Sequence, residues 1–147
     1  PLALPSLIVM GAAYVAMNLG AFGIVLLVGR NLDDFRGFGR QRPLAGVAMV
    51  VFLLSLAGIP PLFGFVGKVY LFGAAIEAGY LWLALIGIAN SVLGLGVYLR
   101  IMVPMYQAAA AGDDGYVKAP SAALMAVIAV AAIVTLGMGL FAGYLPG

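Results

Sequence analysis

The chain has 147 residues, 65% of them hydrophobic and 8% charged, with a mean hydropathy of +1.19; a soluble domain carries about 45–50% apolar and about 25% charged residues, so this composition belongs in a bilayer. The absence of Cys and His excludes a disulfide framework and thiol chemistry, and removes the commonest proton shuttle and metal ligand. The pI near 9.2 does not point to nucleic acid, because four of the seven cations fall in one short loop between long apolar runs, a pattern that reports membrane topology.

No charge occurs from Leu2 to Gly29, and neither an initiator Met nor a basic segment with a cleavage site precedes this run, so the chain reads as part of a longer protein. Residues 7–28 suffice to cross a hydrocarbon core of about 30 Å, which takes about 20 helical residues. This first predicted helix carries Asn18 and many small residues, among them Gly11, Ala16, Gly20 and Gly23, which suits close packing against other helices. The next segment, Arg30–Pro43, holds Arg30, Arg36, Arg40 and Arg42 against Asp33 and Asp34. By the positive-inside rule it faces the cytoplasm, or the matrix or stroma in an organelle. Its simplest role is a solvated anchor, and an Arg-rich docking site for a partner subunit is the sharper alternative.

Residues 44–79 would make about 54 Å of continuous helix, far more than one crossing needs. Either they form a hairpin of two short helices turning at Pro60-Pro61, or one crossing is broken near residues 58–67 by Gly58, Pro60, Pro61, Gly64 and Gly67. Proline removes amide donors and glycine adds backbone freedom, so the peptide groups freed by a break need protein or water around them. The hairpin would put the loops at 30–43 and 106–120 on opposite faces of the membrane; the broken crossing puts them on one face. Charge counting favours the break without deciding it, since the second loop has only Lys118 against Asp113 and Asp114. Within this stretch Lys68 is the only charge between Arg42 and Glu77. An ammonium at bilayer depth costs from about 2.5 to more than 10 kcal/mol, and such residues usually serve ion or proton transfer. The bland reading is a structural lysine that caps the carbonyls freed by the break.

A third helix is expected over residues 80–106, with Tyr80 and Trp82 in one interfacial belt and Tyr98, Arg100 and Tyr106 toward the other. Arg100 is expected to snorkel to the headgroups, and Glu77 to be an ordinary interfacial carboxylate. Asn90 and Ser91 fall inside the membrane, where an interhelical hydrogen bond worth about 0.6 kcal/mol is the simpler role and a water path, shared with Asn18, the alternative. After a surface loop from Gln107, Pro120-Ser121 opens a fourth helix over residues 121–141. That helix is uncharged, with Thr135 its only mid-membrane polar residue. The reading is therefore an all-α membrane protein of four transmembrane helices in a single domain. No phosphate loop, metal-ligand cluster or nucleophile–base pair is visible, so no cofactor or metal site is expected in this chain.

The runs MNLGAF (residues 17–22), SLAGIPPLFGFVGKVYLF (residues 55–72), AAIEAG (residues 74–79) and VYLRIMVPMY (residues 97–106) resemble the C-terminal part of the subunit N family of NADH-quinone oxidoreductase, respiratory complex I. The resemblance covers nearly the whole chain. It implies an antiporter-like fold of fourteen helices with two inverted five-helix repeats, each containing one discontinuous helix, of which this chain holds the last four helices. It further implies that residues 44–79 are the second discontinuous helix, with Lys68 at the outlet end of a chain of buried Glu, Lys and water. The rest of that relay has no matching positions here. On this resemblance the chain is a proton-translocating part of a translocase in the bacterial inner membrane, bounded by lipid and by other membrane subunits of complex I. NADH and quinone would be handled by those other subunits. An Mrp-type cation/proton antiporter subunit and a purely structural scaffold are the alternatives.

Overall fold

The structure is a computed structural model that describes residues 3–60, 62–108 and 119–142, and among these every regular element is helical. Helix α1 spans Ala3–Val28. A 3₁₀ turn at Leu32–Phe35 and a single helical turn, α2, at Phe38–Gln41 follow. Then come α3 at Pro43–Ala57, α4 at Phe63–Glu77, α5 at Leu81–Tyr106 and α6 at Ala122–Ala142. Helices α1, α5 and α6 are long and apolar enough to cross a membrane, whereas α3 is shorter. Pro61, residues 109–118 of the second loop (with Asp113, Asp114 and Lys118) and Gly147 lie outside the described residues.

The helix ends follow from local chemistry. Pro43 occupies the first turn of α3, where its missing N–H would have had no partner. Gly58 closes the same helix at φ +85°, a left-handed conformation that glycine adopts without steric cost. Ser121 opens α6 by accepting the Leu124 amide at 3.2 Å, as its position after Pro120 suggests.

The order of contacts along α1 defines how α3 and α4 lie. A side chain at Gly67 of α4 would meet Met10 of α1. Further along α1, Ala13 and Met17 share a buried cluster with Phe63 of α4 and Leu56 of α3. Beyond them Gly20 lies against the Phe52 ring. Helices α4 and α3 thus succeed one another along α1 in antiparallel order, overlapping only around Ser55 and Gly64. Helix α5 repeats the pattern: Gly87 meets Phe72, Ser91 meets Lys68, and at its far end the Pro104 carbonyl accepts the Gly37 amide at 3.1 Å.

The Arg30–Arg42 segment differs from a simple solvated loop. Its arginines Arg30, Arg36 and Arg40 are exposed, but Phe35 and Phe38 are buried in the cluster that joins Ile24, Met49, Phe52 and Met105. The two rings pack edge to face with centroids 6.5 Å apart. Gly37 at φ +74° reverses the chain between them, so the segment folds back as a plug over the end of the bundle. The Arg36–Asp33 pair at 3.6 Å is exposed and adds little. Because Gly37 bonds to Pro104 and Gly23 packs on Leu124 and Ile128, the plug, the end of α5 and the start of α6 share one end of the bundle.

Candidate functional site

The site forms where α3 stops. In the turn after Ala57, the Gly58 amide donates to the Ser55 carbonyl at 3.0 Å and the Ile59 amide to the Leu54 carbonyl at 3.1 Å. These bonds satisfy two of the carbonyls that a helix C-terminus leaves without partners. The carbonyls of Leu56 and Ala57 remain. Lys68, half-buried on α4, reaches back and donates from Nζ to both, at 2.8 and 3.0 Å. Its third bond goes to Ser91 Oγ of α5 at 3.0 Å, and Ser91 Oγ–H donates in turn to the Gly87 carbonyl at 2.9 Å. An ammonium has three donors and no acceptor capacity, so each N–H of Lys68 has one oxygen. Charge-assisted bonds are worth about 1.5–3 kcal/mol each, the same order in sum as the cost of holding the charge at this depth. The negative end of α3 adds to the attraction.

The start of α4 is held by α3 in return. Leu62, at its N-cap, has no polar side chain, and the buried Ser55 hydroxyl accepts the Gly64 amide at 3.0 Å instead. Each half of the interrupted segment therefore caps the other.

A cavity of about 260 Å³ opens beside Lys68, with Tyr14, Asn90, Ser91 and Tyr98 among its walls. On the opposite side Lys68, Phe72 and Ser91 also border a second space of about 380 Å³, otherwise lined by apolar groups such as Phe65, Val69, Ile88 and Val92. Lys68 and Ser91 thus border both a pocket with polar walls and a largely apolar one. No group of three or more His, Cys, Asp or Glu that could hold a metal gathers among the described residues.

Several sequence expectations shift. Gly64 and Gly67 lie inside α4, so helical structure resumes at Phe63 and does not lapse as far as Gly67. Both glycines serve close approach: a side chain at Gly64 would collide with the Ser55 carbonyl, and one at Gly67 would come within 2.7 Å of Met10 Sδ. Pro60 is in the interruption and exposed; Pro61 lies outside the described residues. Asn90 and Ser91 reach the cavity, but Asn18 does not, its amide being bonded to the Tyr14 carbonyl on its own helix at 2.8 Å. Tyr98 is half-buried against the cavity and the Phe63 cluster. Sequence reasoning missed Ser55, Tyr14 and the cavity role of Tyr98. For Tyr98 a signal existed: Gly87, Ser91, Gly94 and Tyr98 recur at helical spacing and form one stripe on α5.

Residues 2–94 match the family described as "NADH:quinone oxidoreductase/Mrp antiporter, TM". The chain belongs to that family. It is an integral membrane protein by this membership and by its three apolar helices. Among similar proteins are the NADH-quinone oxidoreductase subunit N of Trichlorobacter lovleyi, 49% identical over 64% of this chain and 20% of that protein, subunit N 1 of Solibacter usitatus, 43% identical over 90% and 29%, and subunit N of Bdellovibrio bacteriovorus, 44% identical over 85% and 27%. The chain spans between a fifth and three tenths of the length of these relatives.

Proposed function

We propose that this chain is part of the proton-translocating membrane subunit of an NADH-quinone oxidoreductase, and that Lys68 is a relay residue within it. The observation that carries the reading is the Lys68 ammonium itself, held on carbonyls freed by a helix end and facing a cavity lined by Ser91, Asn90, Tyr14 and Tyr98. A charge held at a helix end beside a pocket with polar walls can take up a proton and release it as its partners move. Membership in the family and the likeness to subunit N proteins support the wider assignment. In this reading α3 and α4 make one broken crossing, which their succession along α1 supports, and the chain contributes four crossings. The plug faces the cytoplasm, as its excess of arginine suggests, and on a single broken crossing the second loop shares that face. NADH and quinone chemistry belong to other subunits of the complex, with which this chain would pack in the inner membrane.

A second reading keeps Lys68 as a structural cap, favoured by the full use of its three N–H groups. Substitution separates the two. In the assembled complex in proteoliposomes, Lys68→Ala is expected to leave assembly intact while proton translocation and coupled quinone reduction fall on the order of 100-fold. Lys68→Arg should keep the charge yet release protons poorly, because a guanidinium does not deprotonate in proteins. Wild-type pumping by the Ala variant would remove Lys68 from the path. An antiporter role would show instead as sodium-dependent proton movement without quinone reduction.

A further inference from the structure

We infer that the Ser91 hydroxyl is a two-position switch that accommodates both protonation states of Lys68 and directs the departing proton into the polar cavity. The inference rests on the relay reading of Lys68 given above. It begins from the hydrogen-bond inventory. With the ammonium present, three N–H groups meet three oxygens: the carbonyls of Leu56 and Ala57 and the hydroxyl of Ser91. The two carbonyls belong to backbone and can only accept. Ser91 alone can both accept and donate. In the observed arrangement it accepts from Lys68 and spends its own proton on Gly87, one turn back on the same helix.

Removing one proton leaves an amine with two N–H groups and a lone pair. The two N–H groups still match the carbonyls of Leu56 and Ala57, so the end of α3 keeps its cap. The lone pair needs a donor at the place where Ser91 stands. Ser91 supplies it once its O–H points at Lys68 instead of Gly87, and the Gly87 carbonyl keeps its place in the helical ladder. No other partner of Lys68 has to change. The proton that can leave without breaking the cap is therefore the one aimed at Ser91.

The route then follows from the walls of the cavity. The Ser91 hydroxyl first turns from Gly87 toward the cavity. The Nζ–H bond aimed at Ser91 then breaks and its electron pair stays on nitrogen. The Lys68 proton bonds to Ser91 Oγ as the original hydroxyl proton passes to a water in the cavity to give hydronium, and the proton received from Lys68 is then the one that faces the amine lone pair. The titratable groups bordering that space besides Lys68 are Tyr14 from α1 and Tyr98 from α5. Helix α3 contributes Leu56 only, α4 adds Leu71 and Phe72, and α6, which also packs on α4, carries no titratable residue. The apolar space on the other side of Lys68 offers no acceptor besides Ser91 and the backbone. Ser91 is thus a relay residue that takes the proton from Lys68 and gives the transfer its direction.

The test compares Ser91→Ala, Ser91→Thr and Lys68→Ala in the intact complex, measuring proton translocation in proteoliposomes in H₂O and in D₂O. Ser91→Ala is expected to slow translocation about tenfold and to raise the H₂O/D₂O rate ratio, because water must replace the hydroxyl. Ser91→Thr, which keeps a hydroxyl, is expected to restore both. Should the Ala variant not assemble, Ser91→Cys, near in size but a weak donor and acceptor, carries the same comparison. A Ser91→Ala or Ser91→Cys variant that matches wild type in rate and isotope ratio while Lys68→Ala is impaired overturns the switch alone. Equal slowing of the Ala and Thr variants with an unchanged isotope ratio overturns it as well, since that marks a packing role. Wild-type translocation by Lys68→Ala overturns the relay reading beneath it.

Discussion

The Ser55 hydroxyl on α3 accepts the amide of Gly64 on α4 at 3.0 Å, and both residues are buried. Nine positions apart in sequence, they join the two halves of an interrupted segment at the point where helical bonding lapses. With Lys68 reaching the other way to Leu56 and Ala57, the end of α3 and the start of α4 hold one another.

Ser55→Ala is therefore expected to destabilise the assembled subunit. A side-chain N-cap is worth about 0.5–2 kcal/mol, and a buried amide left without a partner costs about 1–3 kcal/mol. Thermal melting of the purified complex measures this. A variant that melts with wild type would mean that Gly64 has found another acceptor.

Glycine substitutions along α4 should separate close packing from helix propensity. A Cβ at Gly64 would run into the Ser55 backbone carbonyl, which cannot step aside, whereas one at Gly67 meets the flexible end of Met10 and one at Gly73 meets nothing within 4 Å. Gly64→Ala should impair assembly most and Gly67→Ala less. Gly73→Ala should be neutral or stabilising by up to about 1 kcal/mol, the helical advantage of Ala over Gly. Assembled subunit on native gels gives the ranking, and equal behaviour at the three positions would contradict the contacts described.

Much of this arrangement was legible in the sequence because membranes tolerate few residue types at depth. A lone Lys68 beside Gly58 and Pro60 marked the site, and long uncharged runs marked the three helices able to cross. The partners were harder to see. Ser55 is one hydroxyl in an apolar helix, and nothing local says that it will serve an amide nine residues on. Gly64 and Gly67 were read as helix breakers because glycine signals both freedom and close approach, and only the packing against Ser55 and Met10 decides between them. The plug was read as solvated because its arginines are; Phe35 and Phe38 lack the periodicity that marks a buried face in a longer helix.

Topology provides a third prediction. Cysteines introduced at Asp34, Asp114 and Leu145 of an otherwise cysteine-free chain should be labelled by an impermeant reagent from one side for the first two and from the other side for the third. The expectation rests on the excess of arginine in the plug and on the end of the bundle shared by the plug, the end of α5 and the start of α6. Labelling of Asp34 and Asp114 positions from opposite sides would sink the single broken crossing.

Gly58 and Gly79 offer a matched pair. Both have φ +85°, a conformation that costs a residue with a Cβ about 1–2 kcal/mol, so Gly58→Ala and Gly79→Ala should lose similar stability from the backbone alone. Their surroundings differ. A Cβ at Gly79 meets nothing within 4 Å, whereas one at Gly58 would lie 2.8 Å from Lys68 Cδ and 3.2 Å from Nζ. In the Gly58 variant the lysine stem has to shift, and the shift is expected to disturb the bonds of its ammonium to Leu56, Ala57 and Ser91. If Lys68 is a relay residue, Gly58→Ala should reduce proton translocation well beyond Gly79→Ala at comparable melting temperatures. Equal translocation by the two variants, with the Gly58 variant assembled, would show that the position of the Lys68 side chain does not govern the transfer.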